Sequence, residues 1–576
     1  MADIPHRGVP EEDADALLAA ARKGGPNAAL AARRAAILTQ RRQPDLAREA
    51  LQLLTRLEPS DPEPKLVLAR MHGENGDLTA AKTAAADVLQ AVDQGARARA
   101  GYMLGEIARI ESAFDEARRY YQAALKIENT LLDADRNNPI LARRYARVRG
   151  RIAELDASAG DLTRARTGAE GALTMLRGTT LQISETPELA ADIADAEMRL
   201  AALELDLDQA NTARRRLSEA IGRYEALAVL EDHEPHWRAV LSDAWALAAE
   251  ADFARNAPDK AREAMDKSLQ ARIRLAANFP EEAWALAGTW RLRAALRAAL
   301  GDAEAVTESM AQARALAETL CARADGAPAA ARFLVHTILD QADHALRAGD
   351  LNQAREAADS ARVLAESFAR LPEAAPDWLG DAAACWDRLG ELARQAQAPG
   401  QMQEAFARAV EFRRMAYDSD PAAAKTTRGL AAALVRQGEA ALDAGANETA
   451  RQAFAESASL RLRLLDAAPD NPQVALALAV ALERMGLAAR ASGDFATARG
   501  AWADELALAD RIFADDDAIE ALRFRAIVEA HLVDLGGADA EQFRQSSLAR
   551  FDALAKAGVL TEREAALRRK LWGGGA

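Results

Sequence analysis

The chain has 576 residues, half of them hydrophobic but only 5% aromatic, and its formal net charge is −15. This acidic balance disfavours general binding to nucleic-acid phosphates or to an anionic membrane surface. The N-terminus MADIPHRGVPEEDADALL has no basic segment followed by an apolar core, and no window of about 18 apolar residues appears along the chain. We therefore expect a cytoplasmic protein. Arginine greatly outnumbers lysine, which we attribute to a GC-rich, bacterial genome.

The composition also favours one class of secondary structure. Ala, Leu, Arg and Glu are abundant, and these residues stabilise helices. No stretch alternates apolar and polar residues convincingly enough to predict a strand. The sequence therefore predicts an all-α protein.

A short phrase recurs along the chain, as in GDLTAAKTAAADV from residue 76 and GDLNQAREAADSA from residue 349. A small residue, usually Ala, lies five positions after the opening residue of each phrase. These anchors are Ala47, Ala81, Ala117, Ala165, Ala213, Ala261, Val306, Ala354, Ala405, Ala450 and Ala498. The first intervals are 34 and 36 residues, and the later ones lie between 45 and 51. A nearly fixed period in this range is typical of a solenoid.

Other positions of the phrase indicate helix ends. The opening Gly accepts the left-handed backbone that ends a helix, and the Asp after it can cap the next helix. The glycines are Gly76, Gly160, Gly301, Gly349, Gly400, Gly445 and Gly493, and the aspartates are Asp77, Asp161, Asp302, Asp350 and Asp494. A Pro 22 residues after the anchor suits the first turn of a helix. It recurs at Pro139, Pro187, Pro235, Pro328, Pro376 and Pro472.

The segment YMLGEIARIESAFDEARRYYQAAL (102–125) resembles a tetratricopeptide repeat. That family places Leu-Gly in the first helix of the repeat and Ala, an aromatic residue and Ala in the second. The matching residues are Leu104, Gly105, Ala117, Tyr121 and Ala124. The segment DLAREALQLLTRLEPSDP (45–62) resembles a second helix with its trailing Pro. The resemblance implies a right-handed α-solenoid of about eleven stacked antiparallel helix pairs.

The repeat length divides the chain into four predicted regions. Residues 1–27 form an N-terminal capping segment, and residues 28–129 hold three repeats of about 34 residues. Residues 130–515 hold eight elongated repeats of about 48 residues, which resemble those of bacterial multidomain signalling proteins. Residues 516–576 form C-terminal capping helices and a tail, because a solenoid needs atypical ends to cover its exposed stacking faces.

Motifs for catalysis are missing from the sequence. It contains no GxxxxGK loop, GxSxG elbow, HExxH or paired CxxC, and only seven His. We expect no enzymatic activity, no cofactor and no metal. His233, Glu234 and His236 would need a third ligand to bind a metal, and they occupy a repeat loop. His336, with Asp343 and Arg347 at helical spacing, suggests an acid–base pair, but intrahelical ion pairs on a solvated groove face account for it better.

The family resemblance implies a protein–protein interaction scaffold or adaptor that binds a peptide or protein on its concave face. Positions carried over from the family give these groove candidates: Glu63, Arg70, Tyr102, Glu106, Arg109, Arg147 and Glu154. The same residues could simply solvate the inner surface. The family's carboxylate clamp is not expected, because Ala32 and Ala36 occupy its first-repeat positions. The alternative is a non-catalytic regulatory or sensor subunit that controls a separate kinase, protease or TIR-like enzyme in bacterial signalling or defence. The sequence is compatible with self-association of the protein.

Overall fold

The computed structural model describes residues 14–39, 43–111, 113–180, 185–230, 235–323, 328–371, 375–469, 471–513 and 518–573. These residues form helices and the turns between them, with no strand among them, which confirms the predicted all-α class. The chain divides into two compact units, Met1–Glu282 and Ala283–Ala576. Within the described ranges, every helix is too short or too polar to cross a bilayer.

Unit 1 stacks antiparallel helix pairs behind one short helix. Its helices are α1 (Ala14–Lys23), α2 (Ala28–Thr39), α3 (Pro44–Leu57), α4 (Glu63–Glu74), α5 (Leu78–Val88), α6 (Gln94–Ile110), α7 (Phe114–Ala134), α8 (Pro139–Ser158), α9 (Leu162–Thr180), α10 (Pro187–Asp206), α11 (Ala210–Leu230), α12 (Pro235–Ala254) and α13 (Pro258–Asn278). A short 3-10 helix, Pro280–Glu282, follows. The pairs of unit 1 run from α2 with α3 to α12 with α13, and each pair packs on the one before it.

Unit 2 repeats the same arrangement. Its helices are α14 (Ala283–Ala299), α15 (Ala303–Arg323), α16 (Pro328–Arg347), α17 (Leu351–Ala369), α18 (Pro376–Gln395), α19 (Pro399–Ser419), α20 (Ala424–Asp443), α21 (Asn447–Ala467), α22 (Pro472–Ala491), α23 (Phe495–Ala507), α24 (Ala509–Ile512), α25 (Ile519–Asp534), α26 (Ala540–Lys556) and α27 (Glu562–Gly573). The pairs from α14 with α15 to α22 with α23 bring the total in the described part of residues 28–515 to eleven, as predicted.

Within several helix pairs, the chain reverses through one left-handed residue followed by a capping Asp. In the turn from α16 to α17, Gly349 has φ 80° and the Asp350 amide donates to the Ala345 carbonyl at 2.9 Å. This bond satisfies a carbonyl that the end of α16 leaves open. The Asp350 carboxylate accepts from the Gln353 amide at 2.9 Å. All five predicted capping aspartates make this bond: Asp77, Asp161, Asp302, Asp350 and Asp494.

The predicted register is wrong at the turn before α19. The sequence pattern placed the helix end at Gly400 and the small anchor at Ala405. In the structure Gln397 is the left-handed residue, with φ 53°, and Gly400 lies in the first turn of α19. Met402 therefore takes the anchor position. The pattern missed this turn because it required a Gly, whereas non-glycine residues with positive φ fill the equivalent place in three repeats: Asp208, Asn256 and Gln397.

Large side chains of the second helices pack against glycines of the first helices. A Cβ atom on Gly438 would lie 2.6 Å from Cε1 of Phe454, so no larger residue fits there without displacing the ring. The same arrangement joins Gly105 with Tyr121, Gly390 with Phe406 and Gly486 with Trp502. All four rings are fully buried. Equivalent positions in other repeats combine Ala with an aliphatic residue, as in Ala201 and Leu217, so the volume at each contact is matched.

Candidate binding pocket in unit 1

The seven groove candidates lie on the first helices of consecutive pairs, but the structure does not bring all of them together. Glu63 begins α4 and accepts from Arg99 of α6 at 3.0 Å. Arg70, also on α4, has its nearest acid in Glu74 of the same helix, at 3.7 Å. Glu63 and Arg70 lie outside both the hydrogen-bonded cluster around Arg151 and the lining of the cavity beside it.

Arg151 of α8 joins four of the candidates into one cluster. Its Nε atom lies 3.4 Å from the Tyr102 hydroxyl and 2.9 Å from a Glu106 carboxylate oxygen. Its Nη1 atom donates to Glu154 at 2.8 Å. Glu106 also accepts from Arg109 at 3.1 Å and from the Tyr121 hydroxyl at 2.5 Å. The Arg151 guanidinium thus joins α6 to α8, and the Tyr121 hydroxyl joins α7 to the same cluster through Glu106.

The electrostatics of this cluster favour a permanently charged Arg151. Burial opposes the charge, but Tyr102, Glu154 and Glu106 together hold the pKa of Arg151 above its ordinary value. Burial raises the pKa of Tyr102, so its hydroxyl keeps its proton at neutral pH. Burial, followed by the hydrogen bond to Glu106, likewise raises the pKa of Tyr121. The cluster is therefore a fixed set of hydrogen-bond donors and acceptors.

Beside this cluster, a cavity of about 270 Å³ opens between α6, α8, α9 and α10. Small side chains make the space, because they leave room that larger residues would fill. They are Ala146, Gly150, Ala169, Ala172 and Ala196. Leu176 of α9 adds an apolar contact to the lining.

The rim of the cavity is polar and rich in arginine. Its polar residues are Tyr102, Arg143, Arg147, Arg151, Asp192, Asp195 and Arg199. Asp192 accepts from Arg143 and, at 3.4 Å, from Arg147. Asp195 accepts from the Tyr224 hydroxyl. Both carboxylates of the lining are thus held by donors, while about half of the Arg147 side chain (49%) stays exposed at the rim.

Two of the seven candidates, Tyr102 and Arg147, line this cavity. Sequence reasoning missed Arg143, Arg199 and the two aspartates of the rim. A signal for them exists in the spacing of charges. Arg143 and Asp192 are 49 residues apart, and Arg147 and Asp192 are 45 apart. The first separation is one 48-residue repeat plus one residue, and the second is one repeat minus three residues. Two side chains separated in either way lie on facing surfaces of successive first helices.

The same spacing runs through unit 2 and corrects the expectation for His336. We expected His336, Asp343 and Arg347 to make intrahelical pairs on a groove face. Instead, His336 Nε2 lies 3.0 Å from Asp381 of α18, and Asp343 accepts from Arg388 of α18 at 2.8 Å. These contacts join neighbouring helix pairs. Charged partners on the neighbouring first helix lie within reach of His336 and Asp343 because α16 and α18 pack directly on one another.

Most of the predicted loop cluster around His236 lies outside the described residues. His233 and Glu234 are not among the described residues, and the His236 ring packs on Trp237 at 4.9 Å between centroids. Within the described ranges, no group of three or more His, Cys, Asp or Glu side chains is arranged to hold a metal.

No protein-family model matches the chain, and no curated protein does either. Solved structures of tetratricopeptide-type repeat proteins are similar in repeat architecture. BtubC from P. vanneervenii is 17% identical, with a TM-score of 0.31 over 46% of this chain and 92% of that one. The apo form of RapI is 13% identical, with a TM-score of 0.38 over 53% of this chain and 99% of that one. PilW, a type IV pilus biogenesis factor, is 16% identical, with a TM-score of 0.31 over 44% and 92%.

Proposed function

We propose that the protein is a non-catalytic interaction scaffold whose unit 1 binds a protein or peptide partner at the cavity between α6, α8, α9 and α10. The cavity itself is the observation that carries this proposal. The cavity, of about 270 Å³, is open to solvent, and its alanine walls meet a polar rim at which about half of the Arg147 side chain is exposed. An apolar recess with a few polar groups at its rim is the kind of surface that binds a ligand group.

The cavity suits a side chain projecting from a partner. An apolar cavity of about 150 Å³ can hold a benzene molecule, so the present volume admits a large side chain. The alanine walls supply apolar contact, and Leu176 supports the same contact from α9. At the rim, Arg147 and Arg199 present donors for the backbone carbonyls or carboxylates of an extended chain. The combination fits one anchoring side chain flanked by a polar backbone.

The site is largely preformed. The ion pairs of Arg151 and Arg143 fix the rim before a ligand arrives, so binding pays little for ordering it. A partner segment that is flexible when free then bears most of the ordering cost itself. Such a surface supports a scaffold or adaptor. A regulatory subunit of a separate enzyme would use the same surface, and the identity of the bound partner distinguishes the two.

Filling the cavity tests the proposal. Ala196→Leu adds three carbon atoms to the wall that α10 contributes, where Ala196 is 6% exposed. We expect recovery of the partner from native extract to fall about tenfold or more, equivalent to a loss of about 1.4 kcal/mol of binding free energy. Recovery is measured by affinity purification and quantitative mass spectrometry.

Two matched substitutions control this experiment. Thr174→Leu places the same side chain at an exposed site on α9 outside the cavity lining, and should leave recovery within about twofold. A second test acts on the rim, where Arg147→Ala should weaken recovery of the partner. Its matched control is Arg70→Ala, which removes a similarly exposed arginine from α4 and should leave recovery unchanged. Equal recovery with Ala196→Leu and Thr174→Leu would show that the partner does not use the cavity.

A further inference from the structure

Two positions of the repeat are exceptional at one junction of unit 2, between the pair α14–α15 and the pair α16–α17. The anchor of α15 is Val306, which is partly exposed, whereas the anchor is at most 4% exposed in the other ten pairs. The second exception is His344 of α16, ten residues before the next anchor. The same position is apolar in the other ten pairs: Ile37, Met71, Ile107, Leu155, Leu203, Ala251, Leu296, Leu392, Ala440 and Ala488.

The position of His344 normally packs a first helix on the preceding pair. Leu155, Leu203 and Leu392 are buried there, each in a cluster with apolar residues of the pair before it. A histidine at this position removes apolar contact and brings a polar N–H group into the junction, which costs free energy unless the group finds a partner. Departures from an otherwise consistent packing pattern are typical of functional sites.

A recess of about 450 Å³ opens at the same junction, between α14, α15 and α16, and both exceptional residues line it. Val306, Met310 and Ala345 form its apolar wall. The volume lies in the range of small-molecule sites. Because an apolar cavity of about 150 Å³ can hold benzene, this recess admits two fused rings with a substituent.

His344 supplies one hydrogen-bond donor to the recess. Its Nδ1 atom lies 3.1 Å from Nη1 of Arg347, and Nδ1 is the acceptor because a guanidinium only donates. Burial, followed by the charge of Arg347, lowers the pKa of His344, so the ring is neutral at pH 7 and carries its proton on Nε2. Among the described residues, none accepts a hydrogen bond from Nε2.

The other polar groups of the recess narrow the chemistry of the ligand. Thr307 donates to a carbonyl of its own helix at 3.0 Å, and the side-chain oxygen of Gln341 accepts from Arg314 at 3.1 Å. The charged side chains of the lining, Asp302 and Arg347, have opposite signs. An apolar wall, one available N–H donor and no net charge together match an uncharged ligand with one acceptor.

We propose that this recess of unit 2 binds an uncharged small molecule with an apolar body and one hydrogen-bond acceptor, such as a ketone, which accepts from Nε2 of His344. The site is independent of the cavity in unit 1, because it lies in the other unit and takes a different class of ligand. Loss of partner binding at the cavity of unit 1 would therefore leave this site unaffected.

Equilibrium dialysis of the intact protein tests the site with two uncharged probes of the same shape. 2-Acetylnaphthalene has a carbonyl acceptor, and 2-isopropenylnaphthalene has a CH2 group in place of that oxygen. We expect the ketone to bind about threefold or more tighter, the effect of one hydrogen bond between neutral groups. 2-Naphthoate, which has the same rings and a carboxylate, should bind more weakly than the ketone.

Three variants assign the binding to the recess. His344→Leu introduces the residue that the next pair has at Leu392, and should remove the preference for the ketone. Val306→Phe fills the recess and should weaken binding of both uncharged probes about tenfold or more. Val363→Phe makes the same change at an exposed site of α17 outside the recess, and should leave binding within about twofold.

Four results would overturn the proposal. They are equal binding of the ketone and the alkene by the wild-type protein, tighter binding of 2-naphthoate than of the ketone, a ketone preference that persists in His344→Leu, and unchanged binding in a folded Val306→Phe protein. Circular dichroism establishes that each variant keeps its helix content. The first three results stand without Val306→Phe, so the test remains decisive if that variant does not fold.

Discussion

Gly438→Ala is expected to destabilise unit 2 by about 1–3 kcal/mol, the usual cost of overpacking a filled core. The added Cβ would lie 2.6 Å from Cε1 of Phe454, a ring with no exposed surface. The ring cannot move outward without breaking its own contacts, which include Ala441, Ala450 and Ala488. Urea unfolding followed by circular dichroism measures the loss.

The matched control makes the same chemical change at a glycine with free space. Gly500 lies within α23, and no atom would come within 4 Å of a Cβ placed on it. Gly500→Ala should therefore stabilise the helix by up to about 1 kcal/mol through helix propensity alone. Adding Phe454→Leu to Gly438→Ala should recover part of the loss, because Ala201 and Leu217 form the equivalent pair in another repeat. Equal effects of Gly438→Ala and Gly500→Ala on stability would contradict the close packing of Phe454 on Gly438.

Glu505→Ser is expected to stabilise the protein by about 1–3 kcal/mol at pH 7, the typical cost of a buried polar group without a partner. Glu505 is 4% exposed, and its Oε2 atom has no hydrogen-bond partner. In seven other repeats the equivalent residue is small, so that the two helices of the pair can touch: Ala172, Ala220, Ser268, Ala313, Ala361, Ala409 and Ser457. Ser457 donates to the Ala431 carbonyl at 2.8 Å, and a serine at 505 should bond Ala479 in the same way.

The gain from Glu505→Ser should depend on pH. Burial, with a smaller contribution from Glu483, raises the pKa of Glu505 to about 9. The folded protein therefore holds this proton from about pH 4.5 to about pH 9, whereas the unfolded chain releases it near the ordinary value. Stability from this group falls as pH rises through that window. Thermal unfolding at several pH values should show the wild type losing stability relative to Glu505→Ser between pH 5 and pH 9.

The reciprocal substitution controls for cavity and packing effects. Ser457→Glu places a carboxyl group at the same position one repeat earlier, and should introduce a similar loss of stability towards high pH. A Glu505→Ser protein that is less stable than the wild type at both pH 5 and pH 9 would show that Glu505 has a stabilising role in the fold.

Local chemistry was predictable from the sequence because it acts over a few residues. The Asp of each repeated phrase caps the helix that begins beside it, and Asp350 bonding Gln353 is one of five cases that the structure confirms. The recurring prolines likewise begin their helices, as Pro376 does in α18. The turn at Gln397 escaped prediction because its left-handed residue is not a glycine, so the pattern slipped to Gly400 three residues later.

The cavity was not predictable in the same way, because it depends on residues brought together by stacking. Its walls come from Ala146, Ala172 and Ala196, which lie on three different helices. An alanine in a helix-rich sequence gives no sign of whether it faces a close contact or an open space. The charged rim carried a clearer signal, since Arg143 and Asp192 are separated by one repeat plus one residue. That signal becomes readable only once the stacking of first helices is known.

Site-specific photo-crosslinking tests the central claim, that a partner occupies the cavity of unit 1, most directly. Benzoylphenylalanine replaces Tyr102 at the rim and, in a separate protein, Thr174 on the exposed face of α9. We predict one dominant crosslinked partner segment from position 102, none from position 174, and loss of the product when Ala196→Leu fills the cavity. Equal crosslinking from both positions, or a product from position 102 that survives Ala196→Leu, would contradict a partner bound in the cavity.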